Sequence, residues 1–131
     1  DYGVIETSKD DLIASRLQQV NLKLDEIIKY YKPDVSAVES LFFFKNQKTV
    51  INVGQVRGVI LLTLANNQLE IFDYTPLQVK VSVTGYGRAE KSQIQKMVKM
   101  ICGLNEIPKP DDAADAIAIG ICHLNTTKFN K

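Results

Sequence analysis

The sequence has few of the features that mark special classes of protein. It holds only two cysteines, Cys102 and Cys122, and neither has a second Cys or a His at the spacing of a zinc site. We expect both to be reduced core residues. The most apolar run, residues 59–65, is far shorter than the roughly 20 residues of a membrane-spanning helix. Residues 1–10 lack the basic segment and apolar core of a secretion signal. These absences predict a cytoplasmic protein with no membrane span.

Charge is nearly balanced along the chain. Sixteen Lys and Arg stand against fifteen Asp and Glu, for a net charge of +1. Net charge therefore neither indicates nor excludes a nucleic-acid partner, and any such indication has to come from local clusters of basic residues. With 131 residues, no internal repeat and no low-complexity tract, we expect residues 1–131 to form a single domain.

The hydrophobic pattern predicts strands that alternate with helices. Thr75 followed by Pro76 is typical of a helix start, and Pro33 is expected to end the first helix. The alternation implies an α/β layer fold. The predicted strands are 2–6, 35–39 and 70–74; the predicted helices begin near residue 12 and span about 46–67, 76–83, 90–103 and 111–124, with a loose tail after them.

Glu39 is the first candidate for chemistry. It ends the apolar strand VSAVE, and in open α/β sheets the carboxyl ends of strands are where ligands and catalytic groups collect. The alternative is that the strand simply stops at a solvated charge. Glu39 alone does not separate the two interpretations.

Asp112 and Asp115 are the second candidate, because their spacing of three places both carboxylates on one face of the last helix. Asp111 or Asp112 could instead serve only as a helix cap. Small residues favour the first interpretation, because they let this helix approach a sheet and bring its acids near Glu39. Three carboxylates would then suit Mg²⁺ and phosphodiester cleavage. The small residues are Ala113, Ala114, Ala116 and Ala118.

Basic and aromatic residues add candidates for DNA contact. Lys80 and Lys91 flank the turn Gly85-Tyr86-Gly87-Arg88, and two more lysines follow on the next helix. They are either an ordinary solvated surface or a set of phosphate contacts. The aromatic triplet at residues 42–44 would by default be core, but a triplet in a loop directly after Glu39 cannot bury every ring. We expect at least one ring to stack on a base.

Gly54 and Gly58 form a G-x-x-x-G pattern on the long second helix. This spacing permits close packing of backbones, either of the helix on a sheet or across a dimer interface. The helix is apolar on a second side, which favours the dimer. His123 is the sole histidine, lies near the expected end of the last helix, and is not interpreted as a ligand.

Four ordered segments together resemble the RuvC family of Holliday-junction resolvases, over nearly the whole chain. They are AVESLFFFKNQKT (37–49), VGQVRGVIL (53–61), YTPLQVKVSVTGYGRAEKSQIQKMV (74–98) and PKPDDAADAIAIGICH (108–123). The resemblance implies a ribonuclease-H-like mixed sheet flanked by helices, and a homodimer that nicks four-way DNA junctions symmetrically in recombination and repair. It also implies Mg²⁺ as cofactor, with Mn²⁺ as a substitute, and a junction-migration helicase complex as partner.

The resemblance also implies roles for individual residues. The metal-binding catalytic carboxylates would be Glu39, Asp112 and Asp115. Lys80 and Lys91 would approach the scissile phosphate. Arg88, in the turn between them, is a further candidate for DNA contact because of the basic cluster around it. Phe42 would be the ring that stacks near the junction centre, and the helix with Gly54 and Gly58 would form the dimer contact.

The chain departs from the family pattern at its start. Family members open with a strand bearing a G-I-D-P-G motif, whose Asp is a fourth metal ligand, and then a second strand; residues 2–6 match the family's third strand instead. We therefore expect two strands to precede Asp1 in the parent protein, and the chain as written to be inactive alone. Two alternatives stay open: a non-catalytic junction-binding or assembly module, and another ribonuclease-H-like nuclease.

Overall fold

The computed structural model describes residues 1–40 and 47–129, with side chains described for 1–40 and 49–128. Helices and strands alternate in its first half, and three helices follow one another in its second half. The elements in chain order are α1 Ile13–Tyr31, β1 Val35–Glu39, α2 Gln47–Asn66, β2 Glu70–Tyr74, α3 Pro76–Thr84, α4 Lys91–Ile101 and α5 Asp111–Phe129. This order confirms the predicted α/β class.

The described sheet consists of β1 and β2. The Ser36 hydroxyl donates to the Glu70 carbonyl, and four residues further along each strand the Ser40 amide donates to the Tyr74 carbonyl. Because the pairing advances in the same direction along both strands, the two strands are parallel. Their carboxyl ends therefore lie at the same edge of the sheet.

The prediction of a strand at residues 2–6 was wrong for the described structure. These residues have no regular secondary structure. A strand exists only where a neighbouring strand satisfies its backbone donors and acceptors, and the sheet order of the described residues contains β1 and β2 alone. A β-rich composition was therefore not sufficient to form a strand here.

The chain divides into two compact units. The first comprises Asp1–Val4, Ala37–Ser40 and Phe72–Lys131, and the second comprises Ile5–Ser36 and Leu41–Ile71. In the first unit, α3, α4 and α5 pack against one another. Their shared core is apolar, and its buried members are Tyr74, Val79, Val83, Ala89, Ile94, Val98, Ala118, Ile121 and Cys122.

In the second unit, α1 packs against α2. The Thr63 hydroxyl donates to the Asn21 side-chain oxygen at 2.8 Å, and the Asn67 amide donates to the Asp25 carboxylate at 2.9 Å. These bonds fix one side of α2 against α1, with Leu64 buried on that side. α2 therefore has a defined inner face.

The outer face of α2 is apolar and exposed. Ile51 and Leu62 are 60% and 59% exposed, and Gly54 and Gly58 lie between them on the same side. By length and composition alone, Thr49–Asn66 could cross a membrane, and only 11% of it is buried. The expectation of no membrane span rested on the apolar run at 59–65 alone. A single helix of this kind also suits an interface between proteins.

α5 extends further than the sequence predicted. It continues to Phe129, whereas a loose tail was expected from residue 125. The Asn125 amide donates to the Ser82 carbonyl on α3, and the hydroxyls of Thr126 and Thr127 donate to carbonyls one turn earlier. The contact of Asn125 with α3 is tertiary, and it stabilises a turn that polar composition alone would leave frayed.

This extension corrects the interpretation of His123, which lies inside α5 and not near its end. His123 is buried, its Nδ1 lies 2.8 Å from the Tyr74 hydroxyl, and its ring packs on Phe72. The histidine is therefore a satisfied core residue, consistent with the expectation that it is not a ligand.

The cysteines differ from each other in burial. Both are free, but Cys122 is buried and Cys102 is exposed. Cys102 caps the carboxyl end of α4, where the helical pattern that suggested burial no longer applies. Its expected place in the core was wrong.

Candidate active site

A cavity of about 460 Å³ opens in the first unit. It lies where β1 ends and where α3 and α4 begin, the edge at which α/β folds collect functional groups. The apolar part of its wall includes Val79, Ile94 and Ala118. Its charged lining residues are Glu39, Lys80, Glu90, Lys91 and Asp115.

The start of α3 positions Lys80. Thr75 caps the helix: its hydroxyl accepts from the Gln78 amide, while the Gln78 side chain accepts from the Thr75 amide. With Pro76 next, α3 begins directly after β2. Val79 then points into the core and Lys80 is half-buried at the cavity.

The turn between α3 and α4 positions Lys91. Gly85 has a φ of +75° and ends α3 in the left-handed conformation that glycine adopts without strain. A Cβ added at Gly87 would lie 2.9 Å from the Leu77 Cδ1 atom, so a larger residue here would require the exposed Leu77 side chain to shift. Glu90 and Gln93 then form a reciprocal cap, and Lys91 is the first residue of α4.

Lys91 lies between two carboxylates of α5. Its Nζ is 3.4 Å from Asp115 Oδ2 and 3.5 Å from Asp111 Oδ2. Asp111 and Asp115 are one helical turn apart, so their like charges would repel without a cation between them. Lys91 supplies that cation from the neighbouring helix.

The surroundings of Glu39 disfavour its negatively charged form. Burial raises the pKa of Glu39, and the negative charge of Asp115 raises it further, while Lys91 lowers it in part. The pKa of Lys91 is raised, chiefly by Asp115, with a smaller contribution from Asp111 and an opposing effect of burial. Two carboxylates that share a partly dehydrated site are thus stabilised by positive charge.

The structure brings together four of the predicted site residues. Glu39, Lys80, Lys91 and Asp115 line the same cavity. Asp112 is exposed in the first turn of α5 and does not line it. Within residues 1–40 and 47–129, no group of three or more His, Cys, Asp or Glu could hold a metal ion. The metal-binding role of Asp112 stays a prediction.

The other predicted residues lie elsewhere. Arg88 is exposed in the turn before α4, and Gly54 and Gly58 are exposed on α2. A methyl group added at either of these glycines would meet nothing within 4 Å, so the described residues do not use them for close packing. Phe42 lies outside the described residues.

Asp111 was predicted only as a possible helix cap. In the structure its Oδ1 accepts from the Gln95 side chain at 3.1 Å and its Oδ2 faces Lys91. Its carboxylate thus engages α4. A signal existed: Lys91 and Gln95 are four residues apart and so share a helix face. The sequence spacing did not specify which acid of α5 would face these two residues.

The donor chemistry fits a hard divalent cation. Glu39 and Asp115 offer carboxylate oxygens, the ligands that Mg²⁺ takes together with water and phosphate oxygens. Burial and the charge of Asp115 raise the pKa of Glu39, so its charged form is disfavoured in this cavity. A cation bound there would stabilise both carboxylates.

The family model described as crossover junction endodeoxyribonuclease RuvC matches residues 1–123. A crossover junction endodeoxyribonuclease RuvC from Caldicellulosiruptor saccharolyticus is 59% identical over 95% of this chain and 75% of its own length. The protein of that name from Fusobacterium nucleatum is 59% identical over 96% of this chain and 66% of its own length.

Solved structures are similar as well. The fold resembles Thermus thermophilus RuvC with a TM-score of 0.89 and 30% identity, over 98% of this chain and 77% of that one. It resembles T. thermophilus RuvC in complex with a Holliday junction substrate with a TM-score of 0.93 and 30% identity, over 98% and 78% of the two chains. The expected ribonuclease-H-like architecture is thereby confirmed.

Proposed function

The chain belongs to the RuvC family of crossover junction endodeoxyribonucleases, and from this membership we propose that it resolves four-way DNA junctions by metal-dependent symmetric nicking in recombination and repair. The observation that carries the proposal is the cavity in which Glu39 and Asp115 meet Lys80 and Lys91. Family membership provides the substrate class, and this cavity provides groups suited to phosphodiester hydrolysis.

The carboxylates would hold the cofactor. The family is metal-dependent, and we propose Mg²⁺, with Mn²⁺ as a substitute, bound by Glu39 and Asp115 and, as the resemblance implies, Asp112. When bound, the metal supplies charge stabilisation at the attacked phosphate and activation of water. Glu39 at the end of β1 and Asp115 on α5 come from separate rigid elements, which keeps the donors in place.

The lysines would bind the phosphate. Lys91 is the first residue of α4 and Lys80 projects from α3 toward the same cavity. Their ammonium groups offer positive charge to the substrate's phosphate and to the charge that develops on its oxygens during cleavage. Arg88, exposed in the intervening turn, would add a contact to the DNA backbone.

A non-catalytic module with the same fold is the rival function. Carboxylates beside a phosphate-binding surface repel DNA, so a protein that only binds would gain nothing from Glu39 and Asp115 sharing a cavity with two lysines. The test is incubation of the intact protein and Mg²⁺ with a four-way junction, a linear duplex and an RNA–DNA hybrid. Paired nicks in the junction alone are expected. Binding without nicks would support the module, and nicks in the hybrid would support a different nuclease.

We further propose that the protein is a homodimer through α2. The supporting surface is the exposed face that carries Ile51, Gly54, Gly58 and Leu62. Their spacing of three or four residues places them in one stripe, and the glycines permit a close approach of a second backbone. A two-fold dimer would present two active sites to two strands, as symmetric nicking requires.

Leu62→Glu should dissociate this dimer, because it places a charge in an apolar interface. Sedimentation at micromolar concentration should show the wild type at twice the chain mass, and the variant with dimer affinity lowered by about tenfold or more. Leu22→Glu is the matched control, since Leu22 is 54% exposed on α1, and it should stay dimeric. A monomeric wild type that cuts junctions at full rate would contradict the proposal.

Phe42→Ala should weaken junction binding more than duplex binding. Phe42 lies outside the described residues, so its role rests on the resemblance and on its place shortly after Glu39. Bases are available for stacking only where pairs are open, and one stacked base contributes about 1–3 kcal/mol. Titration of the variant against both DNAs measures the difference. Equal losses would mean that the ring has a structural role only.

Three further properties complete the proposal. Residues 1–131 would act as one RuvC-like nuclease domain, matched by the family over 1–123. The protein would lie in the cytoplasm, where its two free cysteines would stay reduced. A junction-migration helicase complex would be its partner, as the resemblance implies.

A further inference from the structure

The contact between α4 and α5 joins three polar side chains in series. The Gln95 amide donates to Asp111 Oδ1 at 3.1 Å, and Asp111 Oδ2 lies 3.5 Å from Lys91 Nζ. Gln95 and Lys91 are one turn apart on α4, so a single face of that helix presents both to Asp111. Asp111 thus has one oxygen fixed by a neutral donor and the other directed at the lysine.

Asp111 and Asp115 have different surroundings, although both contact Lys91. Asp115 lines the cavity with Glu39, whereas Asp111 does not. Under the proposed function, Asp115 would help to hold the metal ion during the reaction. Its ion pair with Lys91 would then be weaker. Asp111 would then be the acid left to restrain the Lys91 ammonium.

Restraint matters because lysine is a flexible point charge. Its four-carbon stem carries considerable rotamer freedom, and the Lys91 side chain is 52% exposed. A charged group accelerates a reaction only to the extent that it is already held where charge develops. An exposed ion pair contributes little to folding stability, so the consequence of this pair should be kinetic.

We propose that Asp111, held by Gln95, is a positioning residue that keeps the Lys91 ammonium at the mouth of the catalytic cavity; this inference rests on the proposed nuclease function. Asp111 does not line the cavity, and this role requires no contact between Asp111 and the substrate. It acts through Lys91 alone, which gives a quantitative expectation for paired substitutions.

The test is a double-mutant cycle on the intact protein, with single-turnover cleavage of a four-way junction and junction affinity both measured. Asp111→Asn keeps the acceptor for Gln95 and removes the charge. It should slow cleavage about tenfold with junction affinity changed by less than about twofold. In a Lys91→Ala background the same change should alter the rate by less than about twofold, because contacting residues are non-additive.

Two further variants separate the role of Asp111 from a general effect of removing a negative charge. Gln95→Met leaves both ionic groups and should slow cleavage by a smaller factor, about threefold, since it only loosens Asp111. Glu106→Gln removes an exposed acid of the same unit that does not line the cavity, and should leave the rate unchanged. Thermal unfolding of each variant should match the wild type.

Equal slowing by Asp111→Asn with and without Lys91, or no slowing at all, would overturn the positioning role. Wild-type cleavage is measured first, because its absence would contradict the nuclease function itself. Normal wild-type cleavage with additive effects would contradict only the role of Asp111.

Discussion

Glu39→Gln or Asp115→Asn should abolish Mg²⁺-dependent junction cleavage in the intact protein and leave junction binding unchanged or slightly tighter. Both carboxylates line the cavity, and burial together with the charge of Asp115 raises the pKa of Glu39. Each substitution would remove a proposed metal donor and also a negative charge that repels phosphate. Binding and cutting should therefore separate, with a rate loss of about a thousandfold or more, which corresponds to about 4 kcal/mol of barrier.

The measurement is single-turnover cleavage beside equilibrium binding in the absence of metal. Glu70→Gln is the matched control for Glu39→Gln. Glu70 is an exposed acid at the first residue of β2, whereas Glu39 is the last residue of β1. The Glu70→Gln variant should cut at the wild-type rate. A near-normal rate for Glu39→Gln in Mg²⁺ would mean that this carboxylate only ends a strand, and would leave α5's acids with the capping role.

The position of Glu39 could be predicted from the sequence, because an apolar strand followed by a helix places the strand's last residue at the functional edge of an α/β sheet. The start of α3 could be predicted for a similar reason. Thr75 and Pro76 encode their structure locally, through a side-chain cap and a fixed φ. Both predictions depended on short-range physics, and both were confirmed.

The prediction failed where distant residues decide the structure. Residues 2–6 have strand composition but no partner in the described sheet, and a strand is a property of a pair. The end of α5 was missed because Asn125 is anchored to Ser82 on another helix. Local propensity cannot contain such contacts.

Local spacing and tertiary packing also determined different features of the acids of α5. Spacing placed Asp112 and Asp115 on one face, which is correct for any helix. The rotation of α5 about its axis, however, is set by its buried alanines, with Ala113, Ala114 and Ala118 almost fully buried. That rotation turns Asp111 and Asp115 toward Lys91. Spacing identified the candidate acids, and the packing of α5 determined which of its acids face Lys91.

Lys91→Ala should slow cleavage and also weaken binding, in contrast to the carboxylate substitutions. Lys91 lies at the cavity, 3.4 Å from Asp115, and would act on phosphate charge in both the bound substrate and the transition state. Loss of one such electrostatic contact lowers the rate by about a hundredfold. It should also reduce the slope of log affinity against log salt by roughly 0.7–0.9, the value for one phosphate contact.

The matched control is Lys96→Ala, because Lys96 is exposed on the same helix and does not line the cavity. Its cleavage rate in single turnover should match the wild type. If the two variants lost rate and affinity equally, Lys91 would be one member of a diffuse basic surface. If Lys91→Ala lost rate with an unchanged salt slope, its role would be confined to neutralising Asp111 and Asp115. A joint loss of rate and slope, specific to Lys91, is the outcome that places its ammonium on the phosphate.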